Sequence, residues 1–396
     1  MLELFDLVER SLYPCYICSM PVTDEQYEWL SLALLPGVGS TQFIKLMARF
    51  NTPKNILNTK PEHLREVVSK KVAGIIHHYR DTVDVDEQLR MMKKCDARCI
   101  TLNDPEYPHP LAEIYDPPLV LFVRGTLPDM DSPVIAVVGT RKPTPYGEKM
   151  AETLARDLAA KGVTIVSGMA AGVDTKAHYG ALNAGGKTIA VLGCGVDVVY
   201  PKSNRALMGE IVERGCVISR FPMNAPPSAL HFPIRNRVIS GLAQGTLVVQ
   251  APIKSGALIT ANIALEQGRE VFAVPGHVGD VNSEGPHDLI RHGAKLVEKA
   301  DDVLEELPAF ANTAAVLDRS LREPKTETVA QVKSRPAVTL NSVESDILST
   351  LSLDGSYVDE IAMACRIPVS EALSTLTMLE LKGQVKQFSG KRFVPN

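Results

Sequence analysis

Val134-Ile135-Ala136-Val137-Val138 is an unbroken apolar run. A half-exposed strand alternates apolar and polar positions, so a run without alternation predicts a strand buried on both faces. The run stops at Gly139-Thr140-Arg141, and Met150, Leu154 and Leu158 then recur every four residues, the period of a helix. The theme repeats. Val163 to Val166 predicts a second strand, ending in Ser167-Gly168-Met169-Ala170-Ala171-Gly172, with a helix over 173–184. Thr188 to Leu192 predicts a third, stopping at Gly193-Cys194-Gly195. Thr246 to Gln250 and Val271 to Val274 add two more, with a helix over 257–267 between them. Strands alternating with helices predict a doubly wound, mostly parallel sheet of Rossmann type.

The flanks differ. Leu30, Leu32, Leu34 and Leu35 lead into Pro36-Gly37-Val38-Gly39, and Phe43, Leu46 and Met47 follow at helical spacing. This pattern predicts a helix–hairpin–helix turn, which either offers amides to a phosphate or simply joins two packed helices. A Pro-rich stretch over 104–118 leads out. Small polar residues around Arg322-Glu323-Pro324-Lys325 predict a linker. In the last region, Ile347 with Leu351, Val358 with Ile361, and Leu373 with Leu376 and Leu379 behind Ser370 as N-cap predict three helices. Val385 to Phe388, Ser389-Gly390 and Arg392 to Val394 predict a hairpin, completing a winged-helix pattern. The expected division is 1–125 helical, 126–307 Rossmann-type, 308–340 linker and 341–396 winged helix.

Composition narrows the function. The chain has 396 residues, 45% hydrophobic and 22% charged, which suits a globular protein of several domains rather than one core. A net charge of −4 excludes a uniformly basic coat for nucleic acid; any positive charge must gather on one face. No apolar run reaches membrane-spanning length, and the N-terminus lacks a basic segment followed by an apolar one, so a cytoplasmic protein is expected. The seven cysteines predict reduced thiols rather than a disulfide framework. Cys15 and Cys18 form a C-x-x-C pair and Cys95 and Cys99 lie four apart; a zinc site would require the pairs to meet, and buried thiols are expected instead. His277, His287 and His292 lack zinc-motif spacing, so no metal is expected.

Ligands of doubly wound sheets bind outside the carboxyl ends of the strands. Collected there are Gly139, Thr140 and Arg141; Ser167, Gly168 and Met169; Lys202 and Asn204; Phe232, Arg235, Asn236 and Arg237; and Lys254, Ser255 and Gly256. Small residues expose amides and cations lie beside them, which together make a track for phosphates. At least one of Arg235 and Arg237 is expected to be structural, paired with a carboxylate. Asp174 and His178, four apart on a helix, are expected to be structural hydrogen-bonding groups. The dinucleotide word G-x-G-x-x-G is missing after the first strand, and no P-loop is present, so no cofactor is expected.

Many ordered words resemble the DNA-processing protein A (DprA/Smf) family. They are Leu-Pro-Gly-Val-Gly at 35–39, Asp-Pro-Pro-Leu-Val-Leu-Phe at 116–122, Val-Val-Gly-Thr-Arg at 137–141 and Ser-Gly-Met-Ala-Ala-Gly-Val-Asp at 167–174. Leu-Gly-Cys-Gly-Val-Asp at 192–197, Tyr-Pro-Lys-Ser-Asn at 200–204, Phe-Pro-Ile-Arg-Asn-Arg at 232–237, Lys-Ser-Gly-Ala-Leu-Ile-Thr-Ala at 254–261 and Val-Pro-Gly at 274–276 continue the series. The family often carries Ser where Thr140 stands, which keeps the hydroxyl. The resemblance implies a sterile-alpha-motif-like helical domain, an extended Rossmann domain and a winged helix. It implies a non-enzymatic, dimeric single-stranded DNA binder that protects incoming strands in natural transformation and loads a RecA-type recombinase. Leu289 to Leu296 is the expected dimer segment. Glu371 and Glu380 on the last helix argue against groove reading there, although Lys386, Lys391 and Arg392 lie on the wing.

Two rivals remain. A nucleotide phosphoribohydrolase would carry P-G-G-x-G-T-x-x-E where Lys254 to Thr260 stands, and Glu266 is displaced from the required place. A recombinase adaptor with only secondary DNA contact is the other.

Overall fold

The computed structural model describes residues 23–130, 132–307, 342–351, 356–365, 367–382, 384–388 and 392–395. Cys15, Cys18 and the linker expected at 308–340 lie outside the described residues. The chain divides into two units, 1–322 and 323–396.

The first unit is built on one sheet with strand order β1-β2-β6-β5-β4-β3-β7-β8-β9. The strands are β1 Ala97–Thr101, β2 Val120–Gly125, β3 Val134–Val138, β4 Thr164–Ser167, β5 Thr188–Val191, β6 Cys216–Ser219, β7 Gly245–Val248, β8 Glu270–Ala273 and β9 Lys295–Leu296. Strands β3 to β9 run parallel, whereas β1–β2 and β2–β6 pair antiparallel. The expected apolar run is β3, buried at every position. Its odd and even residues feed opposite cores: Ile135 and Val137 meet helices Pro145–Ala160 and Val173–Asn183, while Ala136 and Val138 meet helices His231–Leu242 and Gly256–Glu266. Both faces are covered, so the run needs no polar member.

The sheet begins before the boundary expected at 126. Residues within the 1–125 region expected to be helical, on either side of the Pro-rich connection over 104–118, supply β1 and β2. The N-terminal helices are not a separate body either. Trp29, Leu30, Phe43 and Leu46 share one core with Val120 and Phe122 of β2 and Leu207 and Ile211 behind β6. Gln88, on helix Val85–Lys94, accepts from the Met223 amide at 2.8 Å. The Pro36–Gly39 turn joins helices Asp24–Ala33 and Ser40–Phe50, as expected. Its Gly39 amide is taken by Gln42 Oε1 at 3.2 Å and the Ser40 hydroxyl donates to the Pro117 carbonyl, which favours a packing turn over an open phosphate cradle.

The second unit packs helices Ser342–Thr350, Val358–Cys365 and Val369–Leu381 around Ile347, Ile361, Leu376 and Phe393. A small sheet, β10 Ser356–Tyr357, β12 Arg392–Pro395 and β11 Val385–Phe388 in that order, closes it as a winged helix. Glu371 and Glu380 are exposed on the third helix, whose N-cap is Pro368 rather than the expected Ser370. The side chains of Lys386, Lys391 and Arg392 lie outside the described residues.

Candidate nucleic-acid interface

In the sheet, β3 is followed in sequence by β4 on one side, yet its other neighbour is β7. The winding direction reverses at β3, and loops leaving β3 and its neighbours splay apart there. A cavity of about 570 Å³ opens at this point, lined by the loop after β3, the loop after β4, and the first turns of helices His231–Leu242 and Gly256–Glu266. That size suits a nucleotide-sized ligand.

Three expected cations are free. Arg141, Lys202 and Lys254 are exposed, and none has a carboxylate partner among the described residues. Arg141 and its neighbour Lys142 line the cavity. Lys254 immediately precedes Ser255, which caps helix Gly256–Glu266 by accepting from the Leu258 amide at 3.4 Å. That helix start therefore faces the cavity beside a free ammonium group. Thr140 is anchored through its amide to the Gln250 carbonyl at 2.7 Å. Gln250 in turn accepts from the Thr144 amide at 2.9 Å, so the loops after β3 and β7 are cross-tied.

Other expected residues lie beneath the rim. Ser167 is the last residue of β4, fully buried, and its hydroxyl donates to the Val137 carbonyl at 2.6 Å. Met169 is buried in the helical-side core at a positive φ of 60°, and its carbonyl accepts from Asn204 Nδ2 at 3.1 Å. Asn204 is itself buried and fastens the Lys202 turn to the loop after β4. These three hold the rim's shape rather than face a ligand.

The two arginines separate. Arg235 is only 5% exposed; it donates to the Gly168 and Val191 carbonyls and, through Nε, to Asn236 Oδ1 at 3.1 Å. It is the structural one, but carbonyls rather than a carboxylate receive it. Arg237 turns away from the rim to a different cavity of about 540 Å³, beside Tyr115, Glu266 and Arg269. Two residues on a helix differ by about 200° in direction, so both could not face the same ligand.

Aromatic rings gather more densely than composition suggested. Phe232 stacks with Tyr200 at 5.9 Å between ring centres, and Arg141 Cζ lies 5.2 Å from the Phe232 centre. His231 stacks on Phe221 at 4.0 Å. Gly193 makes room: a Cβ there would come within 2.8 Å of the Phe232 ring. Tyr200 was missed as a site residue because its partner is distant in sequence; the only signal was its place beside Lys202.

Asp174 also lines the cavity, 7% exposed, and is its sole carboxylate among the described residues. Burial raises its pKa, opposed by the Arg235 charge and by amide donors. His178, one turn on, is fully buried against Thr188 Oγ1 at 2.7 Å. Burial depresses its pKa to about 3, with the Arg235 charge adding to the effect, so it is a neutral packing group. Glu266 stands at the far end of its helix, about 15 Å from the start. Cys99 and Cys194 are buried thiols, each raised to about 11 chiefly by burial. Among the described residues, no cluster of His, Cys, Asp and Glu could hold a metal ion. No helix among the described residues is long and apolar enough to cross a membrane.

Comparison with known proteins places this architecture. Residues 98–308 match the model of the DNA recombination-mediator protein A family, and 331–391 match that of the DprA winged helix domain. Protein Smf of Synechocystis sp. is 33% identical over 93% of this chain and 98% of its own. The DNA processing protein DprA of Streptococcus pneumoniae is 47% identical over 52% of this chain and 73% of its own. The X-ray structure of DNA processing protein A from the same organism superposes with a TM-score of 0.64 at 36% identity, covering 73% of this chain and 99% of that one.

Proposed function

Because the chain belongs to the DNA recombination-mediator protein A family, we propose that it binds single-stranded DNA across the carboxyl edge of its sheet, without catalysing a reaction on it. The observation that carries this reading is Arg141 in the switch-point cavity and Lys254 beside the helix start that lines it, neither with a carboxylate partner among the described residues; Lys202 extends the cations to the loop after β5. Phosphates would be met by these groups and by the Gly256 amide at the helix start. Phe232, with Tyr200 behind it, supplies a stacking wall. The bound strand would be shielded from nucleases and presented to a RecA-type recombinase in the cytoplasm, during transformation and recombination. A second copy would join through the β9 edge, where Leu296 is 42% exposed, setting two tracks side by side.

The phosphoribohydrolase reading is disfavoured, since Glu266 lies at the wrong end of its helix and Asp174 is held by amides. The test is anisotropy of a labelled single strand with the wild-type chain, Arg141→Ala and Lys254→Ala. Weaker binding in both is expected. Unchanged affinity in both overturns the interface.

A further inference from the structure

A site that held only phosphates would have no use for a carboxylate. A buried anion in its floor repels every phosphate that enters, and repulsion in a desolvated cavity is strong. Asp174 nevertheless lines the cavity, and no Lys, Arg or His nitrogen lies within ion-pair distance of it among the described residues. Its carboxylate accepts from the Ala170 amide at 3.3 Å and also from the Gly168 amide. An ionised carboxylate offers about four acceptor positions, so capacity remains on the cavity side. Phe232, Ile239 and Pro252 add apolar lining to the same cavity. Such lining suits a planar heteroaromatic ring, and the carboxylate acceptor requires that ring to bring donors.

Resting on the single-strand reading, we propose that this cavity takes one unstacked nucleobase and that Asp174 makes it select guanine. Guanine alone presents two adjacent donors, N1–H and the N2 amine, at a spacing that matches both carboxylate oxygens. Thymine offers one donor flanked by carbonyls, which the carboxylate repels. Cytosine sets an acceptor beside its amine, and adenine does the same. The phosphates on either side of the selected base reach the rim cations, so one site combines sequence-blind grip with one position of base reading. Asp174 acts by direct contact with the base; Arg235 and the amides of its own loop only position it.

The experiment uses the full chain at low salt and three short labelled strands: all-thymine, the same strand with one central deoxyguanosine, and one with deoxyinosine, which lacks the N2 amine. The guanine strand is expected to bind about tenfold more tightly than the all-thymine strand, with inosine between them. In Asp174→Asn the guanine-to-thymine ratio falls towards one. Equal affinity of the guanine and thymine strands, or a ratio unchanged in Asp174→Asn, overturns the proposal while leaving single-strand binding intact. Failure of every strand to bind overturns the underlying reading as well. The inosine comparison needs no variant, so the proposal can be refuted even if Asp174→Asn fails to fold.

Discussion

The guanidinium of Arg235 donates to the carbonyl of Gly168, tying the first turns of one helix to the loop at the end of β4. A Cβ on Gly168 would collide with that guanidinium. The pair is a rivet under the rim, and the residue looks like a ligand group only in sequence.

Arg235→Ala leaves buried carbonyls without a donor and removes a group engaged at several acceptors. A loss of roughly 3–5 kcal/mol is expected. Gly168→Ala overpacks the same place and is expected to cost about 1–3 kcal/mol. Urea melts of both variants check this, and a melting midpoint unchanged in Arg235→Ala would contradict the assignment.

Arg141 and Arg237 should behave oppositely. Arg141→Ala is expected to lower the slope of log affinity against log salt by about 0.7, the share of one released counterion on a single strand. Arg237→Ala, facing another cavity, is expected to leave the slope unchanged. Salt titrations of both variants provide the comparison.

Phe232→Ala removes a ring with an arginine over its face and a tyrosine beside it. An affinity loss of about 1–3 kcal/mol is expected if a base stacks there. Phe232→Tyr should retain most of the binding. Equal weakening by both would point to disturbed packing instead.

His178 predicts acid lability. Its pKa in the folded chain is depressed to about 3, below the ordinary value of 6.5. Its contribution is fully present above pH 6.5 and fades as pH falls towards 3, because the unfolded chain takes up a proton that the fold refuses. Over that window the loss approaches roughly 4–5 kcal/mol. Replacing His178 by Gln should flatten the dependence of unfolding free energy on pH, measured by urea melts between neutral and mildly acidic conditions.

The parallel strands were legible because burial on both faces writes an unbroken apolar run, and β3 to β5, β7 and β8 fall within two residues of the expected limits. Strand β6, Cys216–Ser219, carries only Val217 and Ile218 between a thiol and a hydroxyl, too brief a branched apolar run to stand out. Strands β1 and β2 pair antiparallel at the edge and flank the Pro-rich stretch over 104–118, which drew the eye as a connection between domains rather than as the link within a strand pair. For the site, Arg141 and Lys254 were visible from their loop positions. The separation of Arg235 from Arg237 was not, because it depends on the phase of one helix. Asp174 was seen as structural; its exposure to the cavity depends on where the loop after β3 comes to rest, which spacing alone does not encode.

The Gln88 carboxamide grips the backbone at Met223, and the segment from there runs without interruption into Phe221's partner His231 and then Phe232. One hydrogen bond thus fastens the N-terminal helices to the segment that leads into the aromatic wall of the groove, so the wall is anchored from both ends of the sheet's helical side.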